Sequence, residues 1–389
     1  MTDREAYIAL NMIDLLGPVR VRALVAALGS PRAIFTCAAG DLRSAEGVGH
    51  DLAATVAAQR GAVDPAAEEE AARRLGARIV SFVDPDYPEP LKAIHDPPLA
   101  LYVRGSLERR DRHAIAVVGS RRCTHYGRSA ADRLSYQLAK AGFAVVSGLA
   151  RGIDWAAHEG ALKGGGRTLA VLGSSLSRVY PPEAGPLADR IAAQGAVISE
   201  YTLGREADRT TFPYRNRVIS GLSMGTVVVE ADRKSGAMIT AAQALEQGRA
   251  VFAVPGRIDS AQSQGAHALI KGGARLVEDV SDVLEEFEYL LPRASGAAER
   301  AAPAAPAPAA FAFSDDEQRL VEALVEGPLD VDALARRAGL PISRIGSMLV
   351  GLEMKRVVHM LPGRQVELAV TLPAGAAATA ADADGGIHG

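Results

Sequence analysis

The sequence predicts an α/β fold built on a parallel sheet, with a helical domain before it and a winged helix domain after it. Three observations carry this. Between Ile79 and Leu290, short apolar runs alternate with amphipathic helical stretches, as strands covered on both faces require. The first 62 residues read as short helices joined by glycine turns. The segment after an Ala/Pro-rich stretch reads as three helices and a hairpin. With 389 residues and 48% apolar content, the chain has material for two or three cores.

Residues 1–62 contain two related turns, "GPVRVRA" from Gly17 and "GVGHDLA" from Gly47, which suggest a helix-hairpin-helix or SAM-like domain. The first keeps Gly17 and Ala23 but has Val19 where the second glycine of the pattern belongs. Such hairpins can offer backbone N–H groups to a DNA phosphate, and a small packing domain uses the same pattern. The degraded first copy favours packing. Residues 63–290 hold "RIVSFV", "LALYV", "AIAVV", "FAVVS", "TLAVL", "AVIS", "TVVVE", "AVFAV" and "ARLVE", each read as a strand of one parallel sheet. Ligands of such sheets bind beyond the carboxyl ends of the strands.

Residues 291–310 form an Ala/Pro linker, too poor in large apolar side chains to build a core. In residues 311–370, Ser314 with Glu317 spells a capping box. Helices are expected around Asp332–Arg337 and Ile342–Met354, and a turn at Pro362-Gly363 joins two β-like runs. The third helix offers only Arg344, Lys355 and Arg356 to a DNA groove, so protein binding or packing suits it equally. Residues 371–389 read as a disordered tail.

The formal charge is −3, so a nucleic-acid partner has to be argued from local clusters of arginine; lysine supplies only six of the 43 basic residues. Cys37 and Cys123 make neither a disulfide framework nor a zinc site, and no metal is expected. The chain shows no export signal and no apolar run of membrane-spanning length, which points to the cytoplasm and to no membrane partner.

The stretch "AIAVVGSRRCTHYGR" from Ala114 runs from a strand into a glycine, a hydroxyl and two arginines. Gly119 allows backbone N–H groups to approach an anion, and Arg121 and Arg122 add charge, so a phosphate is the expected occupant. Only Gly119 fits the G-x-G-x-x-G spacing of dinucleotide loops, and the next strand ends "VVSGLARGID" without the ribose-binding acid, so no cofactor is expected.

"VVGSRRCTHYGR", "SGLARGIDWAAHEGAL", "YPPE", "ISEY", "FPYRNRVISGLS", "VVVEA", "SGAMITAAQALEQGR" and "VFAVPG" follow one another in the order and register of the DNA-processing protein A family, also called Smf. The chain resembles that family over residues 79–285. The resemblance implies an extended Rossmann-like domain with helical and winged helix flanks. It also implies a protein that binds single-stranded DNA in natural transformation, shields it from nucleases, forms a homodimer and helps load the RecA recombinase, with no catalytic activity. The family's Gly-Ser/Thr-Arg loop corresponds to Gly119, Ser120 and Arg121. Ser175, Ala184 and His267 depart from the family pattern at positions where it has glycine, asparagine and asparagine.

Further DNA-binding candidates surround that loop. Ser147, Gly148, Arg151 and Gly152 end the adjacent strand and can wall the same pocket. Arg215, Asn216 and Arg217 start a helix; the two arginines point in different directions, so one suits the pocket and the other suits Glu200 or Glu230. Ser235 and Gly236 open the next helix. Asp154 and His158 lie one turn apart, and a helix-dipole carboxylate with a partly buried histidine explains them better than acid–base chemistry. Tyr126, Phe212 and Tyr214 are the available stacking surfaces, while Trp155 is expected to fill the layer between helix and sheet. The rival function is a Rossmann-type nucleotide hydrolase acting on nucleoside monophosphates. Its "PGGxGTxxE" motif is represented here only by Pro255-Gly256. A regulator working through the winged helix would need a more basic third helix.

Overall fold

The computed structural model describes residues 1–287 except 207 and 209, and residues 314–368 except 325, 326, 328, 343, 346, 347, 350, 351, 353–356 and 362–364. The chain divides into two compact units, Met1–Pro292 and Arg293–Gly389.

The first unit is organised by nine strands: β1 (Ala77–Ser81), β2 (Ala100–Gly105), β3 (Ala114–Val118), β4 (Ala144–Ser147), β5 (Thr168–Val171), β6 (Ala196–Ser199), β7 (Gly225–Val228), β8 (Ala250–Ala253) and β9 (Arg275–Leu276). They lie in the order β1-β2-β6-β5-β4-β3-β7-β8-β9. Strands β3 to β9 run parallel, while β2 is antiparallel to both β1 and β6. The expectation of an all-parallel sheet therefore fails at "LALYV": β2 runs against its neighbours, while "RIVSFV" keeps the common direction but pairs with β2 antiparallel. A parallel connection needs a crossover helix. The segment between these two strands contains five prolines and only the four-residue helix Glu89–Lys92, so the chain returns antiparallel.

Both faces of the sheet are covered, and strand alternation shows how. Ala116 and Val118 of β3 pack with Val146, Ile198 and Val228 on one face. Ile115 and Val117 pack on the other with Leu134, Ile153 and Phe252. From β3 the chain winds outward through β4, β5 and β6 on one side, then crosses back to β7, β8 and β9 on the other. The strand order therefore reverses between β3 and β7, where a crevice opens beyond the carboxyl ends.

The N-terminal helices are part of this unit. Ile8, on the helix Asp3–Asn11, is buried in one cluster with Ile79, Tyr102, Ala170 and Val197 of the sheet. Arg4 pairs with Glu69 at 2.6 Å and Asp84 at 3.1 Å, and Asn11 donates to the Glu200 carbonyl at 3.1 Å. The two glycine turns precede the helices Pro18–Leu28 and His50–Gln59, whose apolar faces join a cluster around Leu24, Ile34, Leu42 and Val56.

In the second unit Ser314 and Glu317 form the capping box at the start of the helix Asp315–Ala323. Asp330 caps the helix Val331–Ala338, which ends at Gly339 with φ +67°. Strands β11 (Val358–Leu361) and β12 (Gln365–Leu368) pair antiparallel, and the two-residue β10 (Leu329–Asp330), absent from the sequence reading, pairs with β12. Ile342, Arg344, Ile345, Met348, Leu349 and Leu352 are helical at the expected third helix, and Ile345, Leu349 and Leu352 enter the core with Leu334 and Val366. Lys355, Arg356 and Pro362-Gly363 lie outside the described residues, as do the linker expected at 291–310 and the tail expected at 371–389. Among the described residues, no helix is long and apolar enough to cross a membrane, and no three His, Cys, Asp or Glu side chains cluster as metal ligands.

Candidate nucleic-acid interface

Strand β3 delivers Gly119 to the crevice, and the turn that follows is fixed by its neighbours. A Cβ on Gly119 would meet Ile153 Cγ1 at 2.6 Å and the Glu230 carbonyl at 2.8 Å, so only glycine fits. The Ser120 N–H donates to the Glu230 carbonyl at 2.6 Å, and Ser120 Oγ accepts the Arg122 N–H at 3.1 Å. Thr124 caps the helix His125–Lys140. Both its N–H (2.8 Å) and its hydroxyl (2.5 Å) donate to the carboxylate of Glu230, at the end of the strand run of β7. Glu230 thus binds the β3 turn to the β7 turn and pairs with neither arginine of the "FPYRNR" helix.

These turns enclose a cavity of about 790 Å³. Gly119, Ser120 and Arg121 form one wall, Ser235 and Gly236 another, and Arg215 and Asn216 of the helix Thr211–Gly221 a third. Ser235 Oγ accepts the Ala237 N–H at 3.3 Å and caps the helix Gly236–Glu246. Arg121 is exposed, has no carboxylate partner among the described residues, and lies 4.9 Å above the ring of Phe212. Phe212 rests against Gly173, where a Cβ would come within 2.7 Å of the ring, and beside Tyr180 at 5.6 Å. The rim is therefore a cation layered on an aromatic pair.

Arg215 and Arg217 separate as their spacing predicts. Arg215 is buried on the cavity side; its guanidinium donates to the carbonyls of Gly148 (2.8 Å) and Val171 and to Asn216 Oδ1 (3.2 Å). Burial pushes its pKa down to about 10, with Asp154 opposing the shift. Arg217 turns away from the cavity into an ion pair with Glu200 at 2.5 Å and Asp96 at 3.0 Å, under the ring of Tyr214 at 4.1 Å. It is enclosed by protein and does not line the cavity, so the expectation that Arg217 contacts DNA finds no geometric support.

Ser147, Gly148, Arg151 and Gly152 also lie outside the cavity lining. The Ser147 hydroxyl is buried and donates to the Val117 carbonyl at 2.6 Å. Gly148 leaves room for Arg215 and Asp154, whose atoms would lie 2.6 and 2.7 Å from a Cβ there. Arg151 pairs with Glu183 beside a second cavity. Gly152, at φ +83°, lets the chain pass the carbonyl of Ser120, which a Cβ would approach to 2.3 Å. Asp154, Asp232, Thr240 and Gln262 also line the first cavity. Gln262 carries no signal in the sequence: it sits in the short 3-10 helix Ala261–Ser263 beyond β8, where its backbone carbonyl accepts the Ala231 N–H at 2.7 Å. Of the three positions that depart from the family pattern, Ser175 and Ala184 are buried, and His267 Nε2 lies 3.0 Å from the Gly256 carbonyl.

Asp154 is buried, and burial raises its pKa against the pull of Arg215. His158 is wholly buried rather than partly so. Its Nδ1 lies 2.7 Å from the Thr168 hydroxyl, which itself donates to the Val145 carbonyl at 2.8 Å, so Nδ1 carries the ring proton. Nε2 is buried without a hydrogen-bond partner among the described residues, and burial, helped by Arg215, pushes the pKa down from 6.5 to about 3. Between those values the unfolded chain binds a proton that the folded chain refuses, so this contribution to stability is present above pH 6.5 and is lost as the pH falls. At pH 5 it should cost about 2 kcal/mol. Urea midpoints at pH 7.5 and 5.0 for the parent and for His158→Gln should show the parent losing that increment and the variant lacking it.

A doubly wound sheet with a glycine-lined, arginine-bearing cleft at its switch point defines a Rossmann-type domain. The chain belongs to the DNA recombination-mediator protein A family, whose model matches residues 78–288, and the DprA winged helix domain matches residues 300–364. It is 40% identical over 290 residues to Protein Smf of Escherichia coli, covering 72% of this chain and 75% of that protein. It is 44% identical over 209 residues to DNA processing protein DprA of Streptococcus pneumoniae, covering 54% of this chain and 74% of that protein. The X-ray structure of DNA processing protein A from Streptococcus pneumoniae superposes with a TM-score of 0.64 at 34% identity, covering 74% of this chain and 98% of that one.

Proposed function

We propose that this protein binds single-stranded DNA in DNA processing during natural transformation, with phosphates of the strand held at the Gly119–Arg122 turn. The observation that carries the reading is Arg121: an exposed guanidinium without a carboxylate partner among the described residues, stacked on Phe212 at the mouth of a glycine-lined cavity. A cation beside an aromatic face suits a strand whose phosphates and bases alternate, and it requires no particular base. Gly119, Ser120, Ser235 and Gly236 add close backbone approach, and Asn216 adds a polar side chain. We extend the proposal to shielding of incoming DNA, RecA loading, homodimerisation and a cytoplasmic location, which the family resemblance implies. We assign no catalytic role: the sealed position of His158 supports a structural reading of the Asp154 and His158 pair.

Replacing Arg121 with alanine tests this. Fluorescence anisotropy with a labelled oligo-dT at several salt concentrations should show weaker binding and a slope of log K shallower by about 0.7, the contribution of one phosphate on a single strand. Stability should change by less than about 0.5 kcal/mol, because the side chain is exposed. Parental slope and affinity in this variant would remove the phosphate from the turn.

A further inference from the structure

The turn bearing Arg121 has a second cavity on its other side, about 660 Å³, between the helices His125–Lys140 and Ile153–Lys163. Arg121 lines both cavities. Each carboxylate in the second is already paired: Glu183 with Arg151, Asp132 with Lys163, and Glu159 with Arg190. Arg121 and Arg128, both exposed, have no carboxylate partner among the described residues, so the cavity carries a cationic excess. Its apolar surface is Trp155, half-buried, packed against the cluster around Leu149 and Leu172 and also lining the cavity. An aromatic ring placed beside free guanidiniums provides one surface for a base and others for its flanking phosphates.

We propose that this cavity is a second nucleotide station on the same strand, where a base stacks on Trp155 and a neighbouring phosphate lies between Arg121 and Arg128. The inference rests on the single-stranded DNA reading of the first cavity, and it gives Trp155 a role beyond filling a layer.

Trp155 is the only tryptophan in the chain, so its emission reports on this station alone. The full-length protein is titrated with unlabelled dT20 while tryptophan emission is followed, in parallel with anisotropy of labelled dT20. Emission should change and saturate together with the anisotropy. Trp155→Ala should bind about tenfold more weakly, the loss of one stacked base, while Trp155→Phe should largely restore affinity. Arg128→Ala, an exposed substitution that keeps the fold and the fluorophore, should make the salt slope shallower by about 0.7. Circular dichroism checks the fold of each variant, and if Trp155→Ala does not fold, the emission titration and Arg128→Ala decide. Unchanged emission at saturating DNA, a folded Trp155→Ala that binds as the parent does, or a parental slope in Arg128→Ala overturns the station while leaving the first cavity standing. An anisotropy that never rises overturns both readings.

Discussion

Replacing Arg217 with alanine should lower the stability of the sheet-bearing unit by about 3–5 kcal/mol, the usual consequence of removing one member of a buried ion pair. Two carboxylates depend on this guanidinium. Glu200 is buried at the end of β6, where desolvation raises its pKa and the charge of Arg217 opposes the rise. Asp96, from the proline-rich loop before β2, meets the same side chain. Without Arg217, Glu200 would either keep an uncompensated charge away from water or take up a proton. Urea denaturation at neutral pH should show a large drop in midpoint. Binding by whatever fraction stays folded should keep the parental affinity, because Arg217 lies outside the cavity. A variant of parental stability would show that the pair is worth little. One that is folded but cannot bind DNA would move the DNA path onto the "FPYRNR" helix.

Gly152→Ala should have a comparable effect by a different route. Gly152 sits at φ +83°, which side chains rarely adopt, and a Cβ there would press on the backbone of Ser120 and Arg121 at 2.3 to 2.9 Å. Neither contact can relax by rotating a side chain. Backbone strain and overpacking together should cost about 2–5 kcal/mol. Relief by shifting the Ser120–Arg121 peptide would displace the guanidinium from Phe212, so affinity should fall even where the protein remains folded. Thermal denaturation and anisotropy on the same preparation separate the two consequences. Parental values of both would mean that the close approach has no functional role.

Much of this architecture was readable because strand periodicity and helix periodicity are local. "AIAVV" is apolar throughout because Ala116 and Val118 face one layer and Ile115 and Val117 the other. The glycine after it marked the turn. The divergence of Arg215 and Arg217 followed from the helical repeat. Strand direction was not readable: "LALYV" looks alike in either sense, and the clue lay in the prolines before it. The choice between Glu200 and Glu230 as arginine partner also escaped, because both end strand runs and only the strand order places Glu200 beside Arg217. The support of Arg215 was invisible for a deeper reason. Its partners at Gly148 and Val171 are main-chain carbonyls, which every residue possesses, so no residue type signals them.

The double attachment of Glu230 bears on which partner must become ordered when a strand arrives. Its carbonyl holds Ser120 and its carboxylate holds Thr124, so the Gly119–Thr124 turn is anchored at both ends to the β7 run. A cleft fixed in this way loses little conformational freedom on binding, and most of the entropic penalty falls on the nucleic acid, a flexible chain whose rotors must be frozen one nucleotide at a time. Affinity should therefore depend on how stiff the strand already is: stacked oligo-dA enters partly ordered, whereas unstacked oligo-dT has more freedom to surrender. On the proposed single-stranded DNA reading, the protein is a rigid template and the conformational adaptation belongs to the DNA.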